Sequence, residues 1–411
     1  MAYLNREAAQ RLMEAEGLEA LILFSAEAFA HATGASPGVA TMWRREGAVA
    51  VLVPADAAVP ETVVVSDLFA AGLRRESHIE DIRESPIWVE AMTLGDADPD
   101  APLAPSFAGV WEADGRPAGN ARPETFDPAV CYGHLRDALA EKGMRDARVG
   151  VEFTAVSARG YPELSAALAP AQLIDGTDIA RQLRAVKAPE EIALLRSAVQ
   201  VAETGIEAVR DAIAAGVSRN DLAAVWSEKV AVTGAETPMT GAWEYISVGP
   251  DPWGGNAVAT PGDLVKVDVG CLMRGYTSDS GRTFVVGSPR RLQTELHAAL
   301  MAGFHAGFDL LRPGVPLSEV HRAAQSAIRA KGLTGYSRGH FGHSLGTGPG
   351  SEEWPFISAR AETRIESGMV LAFECPIYVT RLGGMIIEDQ VEITEDGPVS
   401  MNRLPRDLVA C

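Results

Sequence analysis

The stretch LVKVDVGCLMRGYTSDSGRTF, residues 264–284, decides how the rest of this chain is interpreted. Its first half is an apolar run typical of a buried strand, and a turn at Arg274–Gly275 leads into a second strand. Asp268 lies inside the first run, and Asp279 follows the turn. Because a buried carboxylate is costly unless it is paired or coordinates a metal, the stretch predicts two strands that carry a functional site.

Two later apolar runs also carry a carboxylate. Glu374 ends the run MVLAFE, Glu388 lies in MIIED, and His343 lies in the earlier segment GHFGHSLG. Taken alone, each acid could be a turn or cap residue, and the histidine could be an ordinary core residue. Three apolar runs that each contain a carboxylate are poorly explained by such separate structural roles. Four carboxylates and one imidazole suit Mn, Co, Fe or Zn, and two such ions can share a water and clamp a hydrolytic transition state. The predicted metal ligands are Asp268, Asp279, His343, Glu374 and Glu388.

The composition is that of a globular protein and narrows the classes of partner. The chain has 411 residues, 47% hydrophobic and 22% charged, which is long enough for two domains. A formal net charge of −19 repels nucleic acid and anionic lipid, and no apolar run approaches the length of a membrane span. The start MAYLNREAAQRLMEAEG has no apolar signal core, and the four cysteines have no CxxC spacing. We therefore expect a cytoplasmic protein that binds neither nucleic acid nor membrane.

The order of helices and strands changes near residue 185. Before it, helical patterns alternate with strands such as GLEALILFS, VAVLVP and TVVVSD. After it, Pro189 followed by two glutamates indicates the start of a long helix, and the pattern becomes α+β. We expect an α/β domain over residues 1–184 and an α+β domain over residues 185–411. The Pro-, Ala- and Gly-rich residues 96–125 predict a surface excursion or an oligomer arm, with disorder as the alternative.

With these motifs the sequence resembles the pita-bread metallopeptidase superfamily, which includes methionine aminopeptidase, aminopeptidase P, prolidase and creatinase. Residues 185–400 resemble its catalytic domain, and the preceding half resembles the creatinase-type N-terminal domain. The strongest elements are Asp268 and Asp279 within VDVG…GYTSD and the ordered ligands that follow them. The resemblance implies a catalytic domain with a curved antiparallel sheet, a homodimer, and a small-molecule or short-peptide substrate.

The resemblance also implies a role for each ligand. Asp268 would chelate one of two ions, while Asp279 and Glu388 would bridge them. His343 and Glu374 would complete the second ion, and Glu374 would also accept the proton of the bridging water.

Three polar contacts of the resembling peptidases are missing from this sequence. Prolidase and aminopeptidase P carry a histidine where this chain has Ser351, Glu352 and Glu353, and another in the segment that here reads VGPDPWGGNAVATPGDL. An arginine usually stands two residues before the last ligand, and that residue is Ile386 here. The dimethylsulfoniopropionate lyase of the same superfamily also lacks these histidines and has an acidic residue before Glu-Trp-Pro, which acts as its base.

Three functions are compatible with this pattern. The first is a dinuclear-metal hydrolase of the Xaa-Pro dipeptidase or aminopeptidase P type, and the second is a metal-dependent carbon–heteroatom lyase with Glu352 or Glu353 as base. The third, a non-catalytic binding module, is disfavoured by the complete ligand set. The predicted substrate-pocket residues are Trp253, Trp354 and His340, where the two tryptophans could hold a cation by cation–π contact or simply line the pocket.

Overall fold

The computed structural model describes residues 3–92, 94, 98, 100–113, 121–348 and 352–411. The chain divides into two compact units, Met1–Leu183 and Arg184–Cys411. Each unit has its own sheet and its own buried apolar clusters. The predicted fold class, an α/β region followed by an α+β region with an antiparallel sheet, is confirmed.

The described part of the first unit contains one mixed sheet. Its strands are β1 (Ala20–Leu23), β2 (Ala50–Pro54), β3 (Thr62–Ser66), β4 (Asp81–Ser85), β5 (Arg148–Val151) and β6 (Gln172–Asp175). Its helices are α1 (Arg6–Glu16), α2 (Ala26–Thr33), α3 (Ala40–Trp43), α4 (Asp67–Glu76), α5 (Leu103–Ser106), α6 (Val110–Ala113), α7 (Pro128–Glu141), α8 (Tyr161–Leu168) and α9 (Thr177–Ala185), with a 3-10 turn at Phe153–Ala155. The strand order is β4-β3-β2-β1-β5-β6, and β2 pairs antiparallel with both of its neighbours.

Helices cover both faces of this sheet. Ala20 and Ile22 of β1 pack in one cluster with residues of α7, whereas Leu21 and Leu23 pack in a second cluster with residues of α1 and α2. Successive side chains of a strand point to opposite faces. A strand that is covered on both faces therefore has to be apolar throughout, as ALIL is.

The predicted excursion over residues 96–125 lies partly outside the described residues. Its described part includes the short helices α5 and α6.

Among the helices that the structure describes, none is long and apolar enough to cross a membrane.

The second unit contains four helices and thirteen strands within its described residues. The helices are α10 (Pro189–Ala212), α11 (Arg219–Gly234), α12 (Arg291–Phe308) and α13 (Leu317–Ala330). The strands are β7 (Met239–Glu244), β8 (Ser247–Val248), β9 (Leu264–Met273), β10 (Tyr276–Thr277), β11 (Ser280–Val285), β12 (His340–Ser344), β13 (Glu353–Ser358), β14 (Val370–Glu374), β15 (Ile377–Val379), β16 (Gly383–Met385), β17 (Glu388–Thr394), β18 (Gly397–Ser400) and β19 (Val409–Ala410).

One large sheet organises the second unit. Its described strands follow the order β10-β9-β11-β17-β14-β12-β13, and every neighbouring pair on this path is antiparallel. Strands β7 and β8 add to β9, β18 adds to β17, and β19 pairs parallel with β11. Strands β15 and β16 form a separate hairpin.

Strand alternation directs polar side chains away from the helices. Val265, Val267 and Val269 of β9 pack in one cluster with residues of α10 and α11. In the same way, Leu371 and Phe373 of β14 pack with residues of α12 and α13. The residues between them therefore point to the opposite side of their strands. Asp268 of β9 and Glu374, which follows Phe373 in β14, are on this opposite side, so these two predicted metal ligands point away from the helices.

Trp226 provides a test of this packing. The Trp226 side chain is 1% exposed in α11, and it lies so close to Gly205 of α10 that a Cβ atom at Gly205 would be 2.4 Å from the indole ring. We expect Trp226→Ala to lower the free energy of unfolding of this unit by roughly 3–5 kcal/mol, because it leaves a cavity. Chemical denaturation followed by circular dichroism measures the change.

Trp253→Ala is the matched control, because Trp253 is 72% exposed. Its effect should stay within about 0.5 kcal/mol, as is usual for surface positions. Equal effects of the two substitutions would contradict the packing of α10 against α11.

Candidate metal site and substrate cavity

The five predicted ligands lie on neighbouring strands of the large sheet. Asp268 is in β9, Asp279 directly precedes β11, Glu388 begins β17, Glu374 ends β14, and His343 is in β12. These strands follow one another in the order β9-β11-β17-β14-β12. The register sets Glu374 opposite Glu388. Residues that are more than a hundred positions apart in the sequence are thereby gathered in one place.

Asp279, His343 and Glu388 form the tightest part of this group. Each of the three offers a ligand atom within 4.8 Å of the other two, and all three residues are buried. The Oδ1 atom of Asp279 is buried without a hydrogen-bond partner among the described residues. His343 Nδ1 lies 2.9 Å from the Ser344 carbonyl oxygen. Nδ1 therefore carries the ring proton and donates a hydrogen bond to that oxygen, which leaves Nε2 available as a metal ligand.

Burial makes this group unfavourable in the absence of a cation. Desolvation raises the pKa of Asp279 well above its ordinary range, and the negative charges of Asp268 and Glu374 raise it further. Burial likewise raises the pKa of Glu388 well above its ordinary range, with repulsion from Asp279 as the next cause. A divalent cation between these groups would offset the repulsion between the carboxylates and would give Asp279 Oδ1 a partner. The donor set therefore fits a hard or borderline metal ion.

The remaining two carboxylates are each paired with a basic side chain. Lys266 Nζ donates a hydrogen bond of 2.9 Å to Asp268 Oδ2, and its side chain is 5% exposed. Arg338 donates a hydrogen bond of 2.6 Å to Glu374 Oε1. Neither basic side chain was predicted from the sequence. Lys266 could have been found, because it stands two residues before Asp268 and so shares its face of the strand.

A buried ion-pair network holds the strand that carries Glu388. Arg282 donates to the Glu388 carbonyl at 2.6 Å and to the Asp389 carboxylate at 2.9 Å. Asp389 is fully buried and also accepts hydrogen bonds from Ser400 and Arg406. Since Asp389 neighbours Glu388, these contacts fix the direction in which the ligand side chain points.

The ligands open onto a cavity of about 680 Å³. Its lining includes all five predicted ligands, together with Lys266, Arg338 and several aromatic residues. Trp253 stacks on Tyr378 at a ring-centroid distance of 4.7 Å, and both line the cavity. This aromatic pair provides an apolar wall beside the carboxylates.

The other predicted site residues divide into those that line the cavity and those that have other contacts. Glu352 lines the cavity, and its Oε2 atom lies 3.5 Å from His340 Nε2. Glu353, in contrast, forms an ion pair with Arg184. Trp354 packs against the buried cluster that contains β14. The structure thus pairs Trp253 with Tyr378 and not with Trp354, and Ser351 lies outside the described residues.

Comparisons with known proteins agree with this geometry. Residues 193–395 match the model of metallopeptidase family M24. The Xaa-Pro dipeptidase of Pyrococcus furiosus is 34% identical over 237 residues, which cover 56% of this chain and 67% of that protein.

Two solved structures are similar over almost the whole chain. The dipeptidase PepE of Mycobacterium ulcerans has a TM-score of 0.74 at 27% identity, covering 98% of this chain and 96% of that one. An Xaa-Pro dipeptidase of Bacillus anthracis has a TM-score of 0.75 at 20% identity, covering 99% of both chains, and this likeness shows the fold alone. Together with the buried acid and histidine site, these matches show that the chain belongs to metallopeptidase family M24 of the pita-bread superfamily and is a metallohydrolase.

Proposed function

We propose that this metallopeptidase holds two divalent ions and hydrolyses a short peptide or small amide of the Xaa-Pro type, as a dipeptidase or an aminopeptidase. The observation that carries the proposal is the buried trio of Asp279, His343 and Glu388, which opens onto a cavity. The name of the Pyrococcus furiosus relative, Xaa-Pro dipeptidase, supports the substrate class. Residues 1–184 would form a creatinase-type N-terminal domain and residues 185–411 the catalytic domain. The cytoplasmic location and the homodimer remain predictions, which cell fractionation and light scattering respectively would test.

Each ligand has a distinct part in this proposal. Divalent ions, when bound, would polarise the scissile carbonyl and make a water molecule more acidic. Asp279 and Glu388 would each be shared between the ions, Asp268 would complete the ligands of one ion, and His343 and Glu374 would complete those of the other. Glu374 would accept the proton of the attacking water through Oε2, because its Oε1 atom is bonded to Arg338. Arg338 would thereby orient the base.

A carbon–heteroatom lyase is the second candidate. The observation that favours it is the position of Glu352, which lines the cavity and lies near His340. Glu352 occupies the region where the resembling peptidases carry a histidine, so it is the residue suited to remove a proton from a substrate. Glu353 is less suited, because Arg184 already neutralises it.

The metal content tests the ligand assignment. The purified protein should bind about two divalent ions per chain, the number that a shared-ligand site requires. Asp279→Ala or Glu388→Ala should lose both ions, since each residue is shared. Elemental analysis of dialysed protein measures the content, with Glu353→Ala as a control that keeps both ions. Full occupancy in the Asp279→Ala and Glu388→Ala variants would overturn the assignment.

The pH dependence of stability tests the electrostatics of the site. The pKa values of Asp279 and Glu388 are raised above their ordinary values of 3.8 and 4.5. The folded metal-free protein therefore binds more protons than the unfolded chain, so it should lose stability as the pH rises through those raised values. Bound divalent ions should abolish the loss. Thermal unfolding in a chelator and in Mn²⁺, from about pH 5 to about pH 8, measures both trends.

A combined Asp279→Asn and Glu388→Gln variant is the control, and its metal-free stability should change less with pH. A metal-free wild-type protein that gains stability over the same range would contradict the electrostatics.

Product analysis separates the two candidate functions. Protein loaded with Mn, Co or Fe should split an Xaa-Pro dipeptide into free amino acids and leave dimethylsulfoniopropionate intact. If Glu374 is the base, Glu352→Gln should change peptide turnover by less than about tenfold, whereas loss of a general base costs on the order of 10²–10⁴. Glu353→Gln is the matched control.

Cleavage of dimethylsulfoniopropionate without cleavage of any dipeptide would replace the peptidase with the lyase. A loss of the larger size in Glu352→Gln, at unchanged metal content, would make Glu352 the base.

A further inference from the structure

Three polar side chains converge beside the metal ligands. Ser247 of β8 is paired directly with Lys266 of β9, and Tyr378 of β15 lies across from Gly384 of β16. A Cβ atom built on Gly384 would lie 3.1 Å from Ser247 Oγ, 3.3 Å from Lys266 Cδ and 3.4 Å from Tyr378 Cδ1. The three side chains therefore surround one point, and all three line the cavity.

Ser247 and Lys266 have hydrogen-bonding capacity that no described residue uses. Ser247 is 6% exposed, and its buried Oγ atom has no hydrogen-bond partner among the described residues. The Lys266 ammonium has three N–H donors. Within the described residues its one hydrogen bond goes to Asp268. Buried donors without partners are costly, which indicates that a ligand completes this site.

We propose that Lys266 and Ser247 bind the free C-terminal carboxylate of the substrate, which makes the enzyme a dipeptidase. The inference rests on the proposed peptidase function and assigns two specificity-determining residues to it. An ammonium and a hydroxyl are suitable donors for a carboxylate. In a dipeptide, a single carbon atom separates that carboxylate from the scissile nitrogen. The carboxylate must therefore bind next to the metal ligands, where Lys266 is 2.9 Å from Asp268.

The charge balance of the site supports the same conclusion. In the proposed function Asp268 is a metal ligand, so a bound ion takes much of the negative charge that now compensates Lys266. A buried ammonium then requires another anion. The other cations of the cavity have further partners. Arg338 also donates to the His340 carbonyl, and Arg219 bonds both carboxylate oxygens of Glu244.

The aromatic wall lies on the same side of the cavity. The Lys266 ammonium is 5.5 Å from the centre of the Tyr378 ring, and Trp253 stacks on that ring. A residue whose carboxylate binds Lys266 would place its apolar side chain, or a proline ring, against this pair. A longer peptide has a neutral amide in place of the carboxylate, which cannot compensate the ammonium.

The test compares a free acid with its amide. Metal-loaded full-length protein is assayed with an Xaa-Pro dipeptide, the corresponding dipeptide amide, and a tripeptide that extends it. The wild type should prefer the free acid in kcat/KM by a factor on the order of 10–100, the usual worth of hydrogen bonds to charged groups. Lys266→Met should remove that preference, because kcat/KM for the acid should fall much further than kcat/KM for the amide, chiefly through a higher KM for the acid. Ser247→Ala should reduce the preference less.

Two controls keep the result specific. Lys229→Met replaces an exposed lysine of α11 and should change neither substrate. Elemental analysis should find the same metal content in Lys266→Met as in the wild type. Gly384→Ala, which places a methyl group between Ser247 and Lys266, should weaken the acid selectively and gives a second variant if Lys266→Met folds poorly.

The failure of this inference differs from the failure of the proposed function. Equal wild-type rates on the acid, amide and tripeptide would overturn the inference and leave the peptidase intact, as would an equal loss on acid and amide in Lys266→Met. If no peptide is cleaved, the proposed function fails. Calorimetric binding of proline and prolinamide to metal-loaded protein then tests the subsite alone, and equal affinities would overturn it.

Discussion

Mutual repulsion between buried carboxylates governs how this site is built. Asp279 and Glu388 lie close together in the interior of the second unit, and burial raises the pKa of each. A protein that gathers these groups must supply positive charge. Two basic side chains supply part of it: Lys266 donates a hydrogen bond to Asp268, and Arg338 donates one to Glu374. Among the described residues, Asp279 Oδ1 has no hydrogen-bond partner, and a divalent cation is the group that would satisfy it.

The scaffold makes this arrangement possible by alternation and by strand order. One side of β9 and of β14 packs on helices, so the polar residues of both strands face the other way. Behind the ligands, Arg282 and Arg406 compensate the buried Asp389 and hold the backbone of Glu388. A ligand set held by rigid strands and by such supporting contacts loses little entropy when an ion binds. The surrounding structure is therefore part of the site.

The sequence predicted the strands of the site well because local patterns carry that information. Apolar runs that contain a carboxylate identified Asp268, Glu374 and Glu388 as unusual, and the structure places all three on the sheet. Arg338 was not predictable as the partner of Glu374, since that ion pair depends on where distant side chains point in three dimensions. Lys266 was missed although its spacing from Asp268 places both on one face of the strand. The choice between the neighbours Glu352 and Glu353 was the least predictable. Adjacent residues can point to opposite sides, and the sequence alone does not decide which one faces a cavity.

The position of the metal ions tests this account most directly. Crystals of the protein grown with Mn²⁺ should give anomalous-scattering peaks among Asp279, His343 and Glu388, with the Asp279 and Glu388 oxygens at metal-ligand distance. Anomalous maps that show no peak there, at saturating Mn²⁺ and neutral pH, would contradict it. In that case the buried carboxyls would share protons, and the group would have a structural role in place of a metal-binding one.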